Sequence, residues 1–415
     1  MSENLVGRRV LPLLLIALAT AASAVGCLGE PLPADQGASG SSSGNASSSG
    51  HASSGASGTS GGTSGGTSGG TSGGTSSGAS GSGSSGTGGD GGTAAEAKCT
   101  LNTTAYGSMK MWECIPSGMD GKTAQAAGLV VAMHGYTQGV EDPASPNKAW
   151  GFKPTSQWAT LAEKHKFYVI FPDHGTSAFQ WYAYFGTSGI GRSDLEPTQI
   201  AQMVKDMQAK HNIDPAKVFA NGLSAGAYMT TVMLATYPDL FAGGSMFEGG
   251  AYGCSTSCAA LGKKGQGWTW PGNHAASLVT GAYGTVWSSA ATKKPRLMVF
   301  QGDADGAVTP ENLADVTQQW LGALGMTGTA GVPKTVKGAQ YTEYSKGSDV
   351  MLATVLMPGI GHGTPVDPGS GADQGGWDPN PSKTASSDTN TDQDWTNTAG
   401  IYGPYYSAKF FGLIP

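Results

Sequence analysis

Asn221-Gly222-Leu223-Ser224-Ala225-Gly226 places one serine between two glycines, where a strand-like run meets a helix-like run. Upstream, Lys217-Val218-Phe219-Ala220 is short and apolar. Downstream, Ala225 to Tyr237 reads as a buried helix with Tyr228 and Val232 on one face. A strand that turns sharply into a helix holds its serine in a strained conformation, with the hydroxyl projecting above the sheet. Glycines flank it because the two backbones approach too closely for side chains. Ser224 is therefore read as a nucleophile on an elbow, the signature of a serine hydrolase. The same Gly-x-Ser-x-Gly pattern recurs from Gly58 to Gly62, Gly62 to Gly66 and Gly66 to Gly70. Those copies have no strand before them and no helix after, so context separates Ser224 from them.

Outward from this elbow the chain alternates between apolar strands and amphipathic helices. Leu129 to Met133 is a continuous apolar run ending at the turn His134-Gly135, and Ser156 to Lys166 follows as a helix. Phe167 to Phe171 reads as a strand ended by Pro172. Pro197 to His211 is helical, with Ile200, Met203, Val204 and Met207 at the i, i+3, i+4, i+7 spacing. A short strand is expected at Gly244 to Phe247, then an irregular insertion from Gly249 to about Thr292. Arg296 to Gln301 is a strand, Glu311 to Leu324 a helix and Ala353 to Met357 a last strand. Continuous apolar strands separated by helices predict an α/β protein of the α/β-hydrolase type, its mostly parallel sheet covered by helices on both faces. In that architecture the reactive groups sit on loops at the carboxyl ends of strands.

A serine hydroxyl needs a base to take its proton, and the base needs an acid to orient it. The strand Arg296 to Gln301 runs into Gly302-Asp303-Ala304-Asp305-Gly306, and Ala353 to Met357 runs into Pro358-Gly359-Ile360-Gly361-His362-Gly363. Both loops lie past strand ends in the order serine, acid, histidine. His362 is the candidate base. His165, His211 and His274 fall on presumed helices or in the insertion, and His174 precedes the serine. For the acid, residue pattern alone leaves Asp303 and Asp305 even, with Glu248 a distant third. The oxyanion donors are the backbone N–H groups of Ala225, next to the nucleophile, and of Tyr136 in the loop after the first strand.

The amino-terminal part reads differently. Arg8 and Arg9, the apolar run Val10 to Ala22 and Ala24-Val25-Gly26-Cys27 describe an export signal over residues 1–27, with Cys27 at a bacterial lipoprotein processing site. Residues 28–97 are a Gly/Ser/Thr-rich tether, about 60 residues of which give an r.m.s. span of roughly 40 to 45 Å. The catalytic domain is expected over residues 98–415. An exported chain anchored by lipid at the cell surface or outer membrane, or secreted, is the resulting expectation. Beyond Cys27 four cysteines remain, an even count that suggests disulfides in an exported protein. Of three connectivities, the local pairs Cys99–Cys114 and Cys254–Cys258 are chosen. Neither pair shows a Cys-x-x-Cys step and no histidine lies beside them, so no metal and no cofactor is expected. Net charge is −6 with no basic cluster, which makes nucleic acid an unsuitable partner; a monomer is expected.

These residues resemble a family: the esterases grouped with polyhydroxybutyrate depolymerases, acetylxylan esterases and feruloyl esterases. The resemblance covers Leu129 to Leu413. Gly222-Leu223-Ser224-Ala225-Gly226 with Met233 to Phe241 is similar to the family's nucleophile block, and Gln301-Gly302-Asp303-Ala304-Asp305 to its His-Gly-Thr-Ala-Asp acid motif. That second likeness implies Asp305 as the acid and leaves Asp303 second. Gln319-Trp320, Gly361-His362-Gly363-Thr364-Pro365 and Ala408 to Leu413 are similarly close. Two departures stand out. The family's His-Gly-Cys-Thr-Gln is His134-Gly135-Tyr136-Thr137-Gln138 here, and its downstream Cys-Trp is Gln180-Trp181. Their joint replacement would follow if the two cysteines form a bridge in relatives. Because the oxyanion donor is a backbone N–H, Tyr136 can still supply it. Gln301 in place of the acid motif's histidine is assigned no catalytic consequence.

For substrate, Trp181 and Tyr182, with Tyr184 and Phe185, offer either a wall for a feruloyl ring or a buried aromatic cluster. No polymer-adsorbing domain is read before Pro415, so the expected substrate is a feruloyl or acetyl ester on plant polysaccharide. A polyhydroxybutyrate chain or oligomer is the alternative, and a non-catalytic glycan-binding lipoprotein the remaining one. The stretch Val366 to Asn397 reads as a long surface loop near His362.

Overall fold

The computed structural model describes residues 95–107, 109–136, 138–141, 151–174, 190–253, 272–376 and 396–415. The export signal with Cys27, nearly all of the tether, the aromatic pair Trp181 and Tyr182, and Cys254 and Cys258 lie outside the described residues. Ala97 is already buried, its N–H bonded to Ala159 O at 3.0 Å, so packing begins at the last residues assigned to the tether.

One sheet organises the described residues. Its strands are β1 (Lys98–Tyr106), β2 (Met109–Ile115), β3 (Ala127–Met133), β4 (Tyr168–Asp173), β5 (Ile213–Leu223), β6 (Gly243–Phe247), β7 (Arg296–Gly302), β8 (Val332–Val336), β9 (Ala339–Lys346) and β10 (Asp349–Met357). Their order is β1-β2-β4-β3-β5-β6-β7-β10-β9-β8. From β4 to β10 every neighbouring pair is parallel. The hairpins β1–β2 and β8–β9 flank this centre with antiparallel pairings.

Side-chain alternation divides the interior into two layers. Leu129, Val131, Tyr168, Ile170, Val218, Leu297 and Val299 point to one face, where Met203 and Met207 of α3 (Leu195–Lys210), much of α4 (Ala225–Thr236) and Trp320 of α7 (Glu311–Ala323) cover them. Val130, Val169, Phe171, Phe219, Met298 and Phe300 point to the other. There Phe152 of α1 (Phe152–Ser156), Trp158 of α2 (Trp158–His165) and Phe411 of α8 (Gly403–Phe411) close over them. Phe219 and Phe411 stack with centroids 4.3 Å apart.

Several local expectations change. The helix expected over Ser156 to Lys166 is α2, Trp158–His165; Ser156 instead closes the preceding α1, and Gln157, at a left-handed φ of 52°, separates the two. Pro172 does not end its strand: β4 reaches Asp173, with Pro172 opposite Met111 of β2. The insertion is not wholly irregular either, since α5 (Gly272–Ala282) and α6 (Gly284–Trp287) lie inside it; Val279 and Trp287 supply its buried anchors.

Candidate active site

Ser224 stands between the last residue of β5 and the first of α4, with φ 54° and ψ −117°. A non-glycine residue in so sparsely populated a region costs on the order of 1–3 kcal/mol and persists only where its surroundings impose it. Here they do. The Ser224 N–H is bonded to Phe247 O at 2.9 Å, and a Cβ on Gly222 would lie 2.2 Å from Gly226 O. A Cβ on Gly226 would lie 2.2 Å from Met133 O, so the helix start presses on the end of β3. Beneath the elbow, buried Asn221 accepts from Trp158 Nε1 at 2.8 Å and donates to Ser245 Oγ at 2.7 Å, tying α2, β5 and β6 together.

The acid loop leaves β7 two strands away. Asp305 Oδ1 accepts the N–H groups of Ala307 and Val308, both at 2.8 Å. Its Oδ2 lies 3.3 Å from Gln301 Nε2 and 2.9 Å from His362 Nδ1. Asp303 faces away: its Oδ1 accepts the Gly359 N–H at 2.6 Å, binding a turn amide of the neighbouring loop. A Cβ on Gly302 would fall 2.2 Å from Ile360 O, so the acid loop and the histidine loop pack backbone against backbone. His362 Nδ1 faces a second carboxylate as well, Glu248 Oε2 at 3.3 Å. With acceptors on that side, Nδ1 carries the hydrogen, and Nε2 keeps the lone pair a general base requires. Asn397 of β12 (Thr396–Thr398) donates to Gly361 O at 2.9 Å and holds the same loop from the other side; β12 pairs with β11 (Thr364–Val366).

The loop after β3 approaches the elbow from the opposite flank. A Cβ on Gly135 would lie 3.6 Å from that of Ser224. Gln138 Oε1 accepts the Gly135 N–H at 2.9 Å, and His134 Nδ1 sits 2.8 Å from Gly135 O and 3.1 Å from the Gly139 N. Full burial lowers the His134 pKa to about 4, outweighing the opposing pull of Asp173, so the ring is neutral, and its Nδ1 lies against both ends of the loop with a hydrogen bond to one of them. Ala225 opens α4, and the first N–H groups of a helix have no intrahelical acceptor. Tyr136 is 43% exposed on the braced loop.

Other sequence candidates lie elsewhere. His174 Nε2 pairs with Glu196 at 3.0 Å, and His211 Nδ1 accepts the Gly121 N–H at 3.1 Å. Cys99 and Cys114 face each other across β1 and β2 and are joined as a disulfide. Sequence reasoning passed over three contributors. Gln301, set aside for its departure from the family motif, reaches the acid. Gln138 was visible only as part of a motif. Asn397 carries no local signal for its contact with Gly361.

Residues 119–340 match the family described as Esterase PHB depolymerase. This chain belongs to that family. Poly(3-hydroxyalkanoate) depolymerase C of Paucimonas lemoignei is 36% identical over 327 residues, covering 75% of this chain and 68% of that protein. Acetylxylan esterase A of Aspergillus oryzae is 31% identical over 270 residues, 61% of this chain and 80% of its own length. Among solved structures, the acetyl xylan esterase from Aspergillus awamori matches with a TM-score of 0.51 and 26% identity, over 64% of this chain and 93% of that one. The family's members bearing these names are carboxylic-ester hydrolases, and this protein is one, an α/β-hydrolase with a parallel centre.

Proposed function

We propose that the esterase works through an acyl-enzyme intermediate on Ser224, with His362 as general base and acid and Asp305 as the orienting carboxylate. The observation that carries this reading is the 2.9 Å contact between Asp305 and His362 Nδ1; the strained φ of 54° at Ser224 supports it. Ser224 Oγ attacks the ester carbonyl carbon while its proton passes to His362 Nε2. The negative charge formed on the carbonyl oxygen is met by the N–H groups of Tyr136 and Ala225. Collapse breaks the acyl–alkoxy bond, and the His362 proton leaves on the alcohol. Water then repeats the sequence, releasing the acid and restoring Ser224.

For substrate we place short hydroxyalkanoate esters, polymer or oligomer, first. The support is the 36% identity to a poly(3-hydroxyalkanoate) depolymerase over three quarters of this chain. Acetyl esters on polysaccharide come second, on the acetylxylan esterase relatives. A feruloyl substrate rested on the run from Trp181 to Phe185, which lies outside the described residues. The Cys99–Cys114 bridge supports the export reading of residues 1–27, since disulfides persist in oxidising compartments.

Ser224→Ala should lower turnover of a p-nitrophenyl acyl ester by at least about 10³-fold, and a fluorophosphonate should label the parent enzyme stoichiometrically but not the variant. Near-normal turnover in a clean variant, or an unlabelled parent, would replace this mechanism, the latter with a glycan-binding role. Initial rates on hydroxybutyrate oligomers, acetylated xylan and methyl ferulate decide the substrate order.

A further inference from the structure

The structure assigns Glu248 as a second positioning carboxylate for His362, sharing its Nδ1 proton with Asp305. This rests on the proposed roles of Ser224 and His362. Glu248 follows β6 directly, at a φ of 56° that a non-glycine residue rarely adopts, and its N–H is bonded to Phe300 O at 2.9 Å. The turn carries the carboxylate across the end of β7 to the histidine loop. There Oε2 accepts the Gly363 N–H and stands 3.3 Å from His362 Nδ1. Glu248 and Asp305 have fully buried side chains, and that of His362 is 3% exposed. Ligand atoms of all three lie within 4.8 Å of one another.

Two like charges so close in a buried site repel. For the Gly363 N–H alone a glutamine oxygen would serve as acceptor equally well. What a carboxylate adds is attraction for the positive charge that His362 acquires when it takes the Ser224 proton. Two charged groups among the described residues face His362, Glu248 from the end of β6 and Asp305 from the loop after β7. Gln301 and Asn397, which adjoin that loop and the histidine loop, are uncharged. With one N–H between two oxygens at 2.9 and 3.3 Å, removing either acid leaves the other to hold the ring.

The test is a pair of isosteric substitutions, alone and combined, in the full-length enzyme. Loss of the orienting acid costs about 10⁴-fold in the serine-protease triad. Here Asp305→Asn should cost only about 10²-fold and Glu248→Gln about 10-fold. The double variant should fall by about 10⁴-fold or more, exceeding the product of the singles as coupled sites do. Glu248→Gln should also move the acid limb of the kcat/KM profile down by about half to one pH unit, because a nearby anion favours the imidazolium; a merely structural role would leave that limb in place. An Asp305→Asn loss near 10⁴-fold overturns the assignment, even where Glu248→Gln fails to fold. So does a Glu248→Gln enzyme with an unmoved acid limb. Fluorophosphonate labelling of Ser224 in the parent separates these outcomes from failure of the mechanism itself: a labelled parent with either result sinks Glu248 alone.

Discussion

The two ends of the parallel strands carry opposite kinds of polar chemistry, and β7 shows both. At its amino end Arg296 lies partly exposed, its guanidinium 5.5 Å over the ring of Phe410 and donating to Phe411 O at 3.2 Å. Around it a cavity of about 430 Å³ is lined by Lys293, Lys334, Asp349 and Lys409. Lys334 and Glu343 pair there at 2.8 Å in water. At the carboxyl end of the same strand, Gln301, Asp305, Glu248 and His362 are buried and bonded to one another or to backbone N–H groups. Charges left in water interact weakly, while buried ones must be matched group by group. The carboxyl end is therefore intolerant of change and the amino end permissive.

The largest expected effect tests that intolerance through the backbone. Gly222→Ala puts a methyl group 2.2 Å from Gly226 O, where no flexible side chain can yield. Turnover should drop by about 10³-fold or more as the strained serine and the Ala225 N–H lose register. A variant that keeps a tenth of parental activity would show that the elbow tolerates displacement.

An intermediate effect concerns His134. Its folded pKa of about 4 lies below the 6.5 of an exposed histidine, so the unfolded chain binds a proton that the folded chain excludes. Stability is therefore complete above pH 6.5 and falls by about 1.4 kcal/mol per pH unit toward pH 4 from this group. Urea unfolding at pH 7, 6 and 5 should show the decline in the parent, and His134→Asn should flatten it. Equal slopes would mean that the ring is charged in the fold. The smallest effect belongs to the other end of the sheet. Lys334→Ala breaks a surface ion pair and a contact 4.4 Å over the Tyr341 ring, and should change stability by about 1 kcal/mol, with kcat unmoved. A tenfold fall in turnover would erase the contrast between the two ends.

Four strand cores at the centre of the sheet were legible locally. The strand cores β3, β5, β7 and β10 are continuous apolar runs, because a strand covered on both faces needs no polar alternation. The flanking hairpins escaped notice for the complementary reason. β8 is largely exposed, and β1 and β2 mix polar with apolar residues, so neither presents such a run. α5 and α6 were hidden in a stretch rich in glycine, alanine and serine, where propensity is weak and packing of Val279 and Trp287 decides.

The sequence alone located the three candidate loops, since Ser224, Asp305 and His362 each follow an apolar strand and strand ends are encoded by neighbours in the chain. It left Asp303 and Asp305 even, and only the family likeness ranked them. Tertiary structure placed the two aspartates in different company: Asp303 on the Gly359 amide, Asp305 on His362. It alone brought Glu248 to the same nitrogen, through the register that sets β6 beside β7 and β7 beside β10. Strand pairing is a contact between residues far apart in sequence, and the side chains it brings together at the sheet's end are set by that register rather than by any local pattern.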